Sequence, residues 1–205
     1  LNPLHKTWVL SRLAVEMTEM PKAYERFEVD TWVDNALRYF TNRNFAIRGK
    51  DGKVYGYGRS VWALIDTESR QPTDLFAIHD GLIREYIDTE TPCPIAKSGR
   101  VKMSDKAEYV RTIDTYYNDV DVNGHVNSVK YIEHVLDLFS LDWYKTHRIS
   151  RFEVAYVAES HGGDALSFYG EEGGEDEFNI RIDKRMNQDG QSVEVCRCKI
   201  KFVKD

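Results

Sequence analysis

Cysteine is scarce in this 205-residue chain, with only Cys93, Cys196 and Cys198. An odd number, with the last two spaced C-x-C, suggests neither a disulfide framework nor a zinc knuckle. Buried, reduced thiols are expected, and with them a reducing, cytoplasmic setting. No apolar run approaches the roughly 18 residues that a membrane-spanning helix needs. No signal peptide opens the sequence. Positive charge is not in excess: the net charge is −6 and the isoelectric point about 5.6. Nucleic-acid binders carry a basic stripe and a high isoelectric point, so nucleic acid is excluded as the expected partner. Proline is also sparse, and two of the five prolines, Pro92 and Pro94, stand together where they argue against strand pairing.

What is abundant is strand patterning. Arg26–Asp34 and Phe178–Asp183 largely alternate polar and apolar residues, as half-buried strands of an antiparallel sheet do. Cys196, Cys198, Ile200 and Phe202 alternate with Arg197, Lys199 and Lys201, giving a strand with an apolar inner and a basic outer face. Asp51-Gly52 and Asp189-Gly190 each sit between strand-like runs, a strong hairpin signal. The two hairpins read as copies. Upstream of each lies a Ser-Arg strand, Ser11–Val15 and Ser150–Val154. The arginines Arg12 and Arg151 are 139 residues apart and the Asp-Gly pairs 138, near-equal offsets that indicate an internal duplication.

In the second copy Val129, Ile132, Val135, Leu136 and Phe139 make an apolar stripe at helical spacing. Asn127 is a suitable N-cap, so a helix is expected over about 128–144. The equivalent helix of the first copy is expected to lie before residue 1. A short helix is expected near Asp80–Tyr86. The organisation is therefore read as an N-terminal α+β unit over 1–90, a linker over 91–107 and a C-terminal unit over 108–205.

The segment Tyr116–Asn127 joins a strand to that helix, a junction where polar side chains and free backbone N–H groups can face a ligand. Asp119-x-Asp121-x-Asn123-Gly124 matches the first half of a calcium-binding loop. The twelfth position of such a loop must supply a carboxylate, and here it is Lys130, so a calcium site is rejected and no metal is expected. Taken alone, the polar residues are equally well explained as turn and capping residues.

Asp121-Val122-Asn123-Gly124-His125-Val126-Asn127, followed by Lys130-Tyr131-Ile132, resembles the D-x-N-x-H-V-N motif and K-Y-I helix of the acyl-acyl-carrier-protein (acyl-ACP) thioesterases. Trp8–Leu13 resembles that family's first strand. Ser60-Val61-Trp62 and Asp66–Pro72 resemble its S-V-W and D-x-x-T/S-R-x-P motifs, and Tyr156–Ser160 resembles its Y-R-R-E-C segment. These landmarks run in the family's order along nearly the whole chain. The resemblance implies a double hotdog fold and hydrolysis of fatty acyl-ACP, with Asp121, Asn123, His125 and Glu159 as the catalytic set and no cofactor. Where plant members carry cysteine this chain has Ser160, so a mechanism that needs a thiol there does not carry over.

Thioester hydrolysis needs a held oxyanion and an activated water. Backbone N–H groups of Val126 and Asn127 at the helix start are expected to hold the oxyanion. Glu159 is the preferred general base, with direct attack by a carboxylate to give an anhydride left open. Asn123 would position the water or carbonyl, His125 would orient water or protonate the leaving thiolate, and Asp121 would hold the loop. Trp62 is a candidate for lining the acyl tunnel in the N-terminal unit, although an ordinary core role fits it as well. His5, His79, His134, His147 and His161 are read as structural or surface residues. The implied partner is an acyl carrier protein with a phosphopantetheine-linked chain. Two basic clusters are docking candidates, Lys97/Arg100/Lys102/Lys106 and Arg48/Lys50/Lys53. A homodimer is left open, and acyl-coenzyme A hydrolysis and non-catalytic acyl binding stand as alternatives.

Overall fold

The structure is a computed structural model describing residues 4–185 and 191–204, so the expected turn at Asp189-Gly190 lies outside the described residues. The chain forms two compact units, Leu1–Ser98 and Gly99–Asp205. Among the described residues no helix is long and apolar enough to cross a membrane.

The first unit contains β1 (Lys6–Met17), β2 (Phe27–Ala36), β3 (Phe40–Gly49) and β4 (Val54–Asp66). They form an antiparallel sheet in the order β2-β3-β4-β1. The β3–β4 turn runs through Asp51-Gly52, and Gly52 takes the left-handed conformation that such a turn demands, with φ of 82°. Ala14, Ala46, Tyr55 and Leu64 are buried. The alternation seen in β2 translates into burial only at Trp32 and Val33. Phe27 and Val29 are 53% and 55% exposed, because β2 is the edge strand and that end of it lies uncovered. Where a short helix was expected, a 3₁₀ segment spans His79–Tyr86, with Asp80 and Gly81 in left-handed conformation. Among the described residues this unit has no α-helix.

The second unit contains β5 (Glu108–Asp114), α1 (Ser128–Leu136), α2 (Leu141–Tyr144), β6 (His147–Tyr156), β7 (Ala165–Gly174), β8 (Glu177–Arg185) and β9 (Ser192–Lys204). Its sheet is antiparallel, in the order β6-β9-β8-β7-β5. In β9 the alternation works as read: Cys196, Cys198, Ile200 and Phe202 are buried and the cations between them are not. The duplication survives in backbone detail. Pairing of β1 slips between Leu10 and Arg12, and pairing of β6 slips between Ile149 and Arg151, so each copy carries a bulge at its Ser-Arg strand.

The expected single helix is two. Asn127 caps α1 by accepting from the Val129 amide at 2.9 Å, and α1 ends at Leu136. Ser140 then caps α2, its hydroxyl oxygen accepting from the Trp143 amide at 3.1 Å. A serine with this local option favours starting a new helix over continuing the old one. The buried face also differs from the stripe: Tyr131 and Val135 pack inward, whereas Val129 is 53% exposed. Beyond α1, the ring of Phe139 lies 5.1 Å from Phe178 and 4.8 Å from Phe202, and Trp143 lies 5.5 Å from Phe202. This aromatic cluster fixes the helical segments to one face of the sheet.

The segment between the units has neither helix nor strand, yet it is tied down within each. In the first unit the Arg59 guanidinium donates to the carbonyls of Cys93 and Ile95. In the second, the Gly99 amide donates to Glu153 at 3.1 Å, Arg197 donates to the Val101 carbonyl at 3.0 Å and the Ser104 amide donates to Glu171 at 3.1 Å. Those partners lie on β6, β9 and β7, so the chain crosses the sheet as a strap before entering β5.

Phe202 is 1% exposed at the centre of the aromatic cluster. Phe202→Ala is expected to cost about 3–5 kcal/mol in urea unfolding. Val129→Ala, on the exposed side of α1, is expected to stay within about 0.5 kcal/mol of the parent.

Candidate functional site

The candidate residues lie in two segments of the second unit, the loop 119–127 before α1 and the stretch 157–164 between β6 and β7. The loop is a tight hairpin. The Asp121 amide donates to the His125 carbonyl at 2.8 Å and the Gly124 amide to the Asp121 carbonyl at 3.1 Å. Gly124 has φ of 81°, and a Cβ placed there would meet nothing within 4 Å, so the glycine is required by backbone conformation and not by crowding. At the base of the loop the Asn127 amide donates to the Asp119 carbonyl at 2.7 Å, and Val120 bridges Val126.

Asp121 holds the loop from within. One carboxylate oxygen accepts from the amides of Asn123 (2.8 Å) and His125 (3.2 Å), and the other receives a long contact from the Asn123 side-chain nitrogen at 3.4 Å. Burial acts to raise its pKa, but these hydrogen bonds and the nearby His125 ring outweigh it, and the carboxyl ends below its ordinary value.

The second segment pairs with the loop. The Val126 amide donates to the Ser160 carbonyl at 2.7 Å, and His125 stands in an antiparallel bridge with His161. This pairing brings His125 Nε2 to 3.4 Å from Glu159 Oε2, with the two side chains 28% and 39% exposed. The Glu159 carbonyl also accepts from Lys184 Nζ at 2.6 Å, which ties this stretch to β8.

The structure thus brings Asp121, Asn123, His125 and Glu159 into one neighbourhood. It overturns the expected oxyanion donors. The Val126 amide is engaged by Ser160 and the Asn127 amide by Asp119, so neither N–H is available to a substrate. The cause is tertiary: the first amide joins the loop to the second segment and the second closes the loop. Ser160, at the position of the plant cysteine, is fully buried, and among the described residues its hydroxyl meets no hydrogen-bond partner of good geometry. It lies against Tyr131, whose own hydroxyl is pushed up to about 12 by burial. Both residues are buried. Trp62 sits half-buried in β4, donating to the Ser60 hydroxyl at 2.8 Å.

Two histidines read as structural or surface residues belong to this region. His134 Nε2 on α1 lies 2.8 Å from Oδ1 of Asp119, a buried carboxylate whose other oxygen accepts from the Tyr116 amide at 2.7 Å. This pair fastens the loop to the helix. The His161 ring stands edge-on to His125 with centroids 5.0 Å apart. Its sequence signal was the turn His161-Gly162-Gly163-Asp164 together with its place two residues after Glu159. Of the two basic clusters, Arg48 and Lys53 are paired with Asp30 and Glu19, at 2.6 and 2.5 Å. Arg100, Lys102 and Lys106 stand exposed on the strap.

A sheet packed over a helix, with a carboxylate and an imidazole meeting near the start of that helix, is the arrangement of a hotdog fold. Family models for the acyl-ACP thioesterase N-terminal domain and C-terminal domain match residues 1–86 and 102–204. The chain belongs to the acyl-ACP thioesterase family. A crystal structure of an acyl-ACP thioesterase from Bacteroides thetaiotaomicron is 51% identical, with a TM-score of 0.89, over 99% of this chain and 79% of that one. The palmitoyl-acyl carrier protein thioesterase of Arabidopsis thaliana is 28% identical over 74% of this chain and 38% of its own length. The dodecanoyl-[acyl-carrier-protein] hydrolase of Umbellularia californica is 27% identical over 95% of this chain and 52% of its own length. The chain thus spans about half, or less, of the curated relatives it matches.

Because Asp121 has a lowered pKa, its contribution to stability is complete above the unfolded-state value of about 3.9 and is lost as pH falls through the lower native value. A carboxyl-carbon NMR titration is expected to place its midpoint below about 3.9. A midpoint at or above that value contradicts the hydrogen-bonding pattern described.

Proposed function

We propose that this chain hydrolyses the thioester of fatty acyl-ACP and releases free fatty acid. The observation that carries the reading is the approach of His125 Nε2 to Glu159 Oε2 at 3.4 Å, in a chain of this family. Glu159 takes a proton from water as the water attacks the carbonyl carbon. His125 orients Glu159 and the water. Asp121 keeps the loop rigid and anionic. Asn123 holds the carbonyl oxygen, since its side-chain amide makes only one long contact within the loop. A fixed donor in this role typically contributes about 2.7–4 kcal/mol to the barrier. Water is assigned as nucleophile because the Ser160 hydroxyl is buried. The 1–90 unit is assigned the acyl chain, with Trp62 among its walls. The exposed Arg100, Lys102 and Lys106 are assigned to meet the carrier, because Arg48 and Lys53 are already paired. The free thiols Cys93, Cys196 and Cys198 fit action in the cytosol.

The test uses purified protein with acyl-ACP and acyl-coenzyme A of matched chain length. Fatty acid release is expected, with the larger kcat/KM on the carrier protein. Glu159→Gln is expected to lower kcat at least about hundredfold while the melting temperature holds. Full activity in that variant removes Glu159 from the role of base.

A further inference from the structure

We infer that His161, outside the motif set of Asp121, Asn123, His125 and Glu159, is the general acid that protonates the departing sulfur. The inference rests on the hydrolytic reading above.

Three observations lead to it. Glu159 and His161 flank the buried Ser160, and His125 meets both of them from the facing loop. The position of His161 is built. Its amide donates to Asp164 Oδ2 at 2.9 Å and its carbonyl accepts from the Asp164 amide at 3.1 Å, closing the turn. The buried Thr115 hydroxyl adds a contact at 3.0 Å to the same carbonyl. A solvated surface histidine has no need of such a frame. Finally, the residue is exposed although its backbone is fixed, so its ring is held beside His125 yet open to a substrate.

The remaining members already have tasks that leave the leaving group unattended. Glu159 accepts the proton of the attacking water. His125 faces Glu159 through Nε2. Asp121 is held by amides. The balanced step needs one further proton. As the water oxygen bonds to the carbonyl carbon, its proton passes to Glu159 and the carbonyl π pair moves onto oxygen. When the carbonyl re-forms, the carbon–sulfur bond breaks and its electron pair goes to sulfur. The sulfur takes the proton of the His161 imidazolium, and the proton on Glu159 then returns to the imidazole. The products are the free acid and the thiol.

The test compares two thioesters of the same fatty acid, one of pantetheine and one of p-nitrothiophenol, whose thiolate departs without a proton. His161→Phe keeps an aromatic ring beside His125, and His161→Gln keeps a hydrogen-bonding group. Both variants are expected to lose about hundredfold in kcat on the pantetheine thioester, the low end for a general acid, and to keep parental turnover of the aryl thioester. Equal losses on both substrates would mark His161 as structural and overturn the proposal, as would no loss on either. Failure of the parent enzyme to release fatty acid from acyl-ACP would overturn the hydrolytic reading itself, a result distinct from the others.

Discussion

One short stretch of antiparallel pairing underlies the chemistry of the second unit. The Val126 amide donates to the Ser160 carbonyl, and His125 lies opposite His161. Without this pairing the loop 119–127 and the stretch 157–164 would carry their functional side chains separately. With it, a carboxylate and two imidazoles meet at the start of α1. A buried backbone hydrogen bond is modest in net worth but costly to leave unmade, so the register it sets is firmly fixed. The pairing has a consequence for catalysis, because it removes from service the amide that a helix start would otherwise offer to an oxyanion.

The loop is held from three directions, each by a different kind of contact. Asp121 fixes its interior through amides, Asp119 fixes its base through a buried contact to His134 on the helix, and Ser160 fixes its far edge through backbone. Such redundancy is what positions reacting groups closely enough to matter, since small displacements of catalytic side chains are costly in rate. The loop's rigidity owes little to the apolar core and much to polar atoms that find partners at short range.

Much of the fold was legible because it rests on local chemistry. Asp51-Gly52 announces its hairpin through the conformation that glycine permits, and the Ser-Arg strands declare the duplication, down to a bulge in each copy. The alternation in β9 reads directly as burial because that strand lies inside its sheet. The same alternation misleads in β2, since an edge strand can leave apolar residues such as Phe27 and Val29 uncovered. The helix stripe concealed the break at Ser140, where capping competes with propagation. In the candidate site, Asp121, Asn123 and His125 were marked by one motif and Glu159 by another. Those that depend on meeting a distant segment were not: the engagement of the Val126 and Asn127 amides, the fastening of Asp119 by His134, and the place of His161 beside His125 all follow from tertiary pairing.

His125 and Glu159 are proposed to act as one unit across that pairing. A double-mutant cycle in kcat/KM on acyl-ACP addresses it most directly, using His125→Ala, Glu159→Gln and the double variant. Residues that act together give strongly non-additive losses. The double variant is expected to be no worse than the more damaging single change. Losses that multiply would mean that the two side chains contribute independently, which contradicts the account.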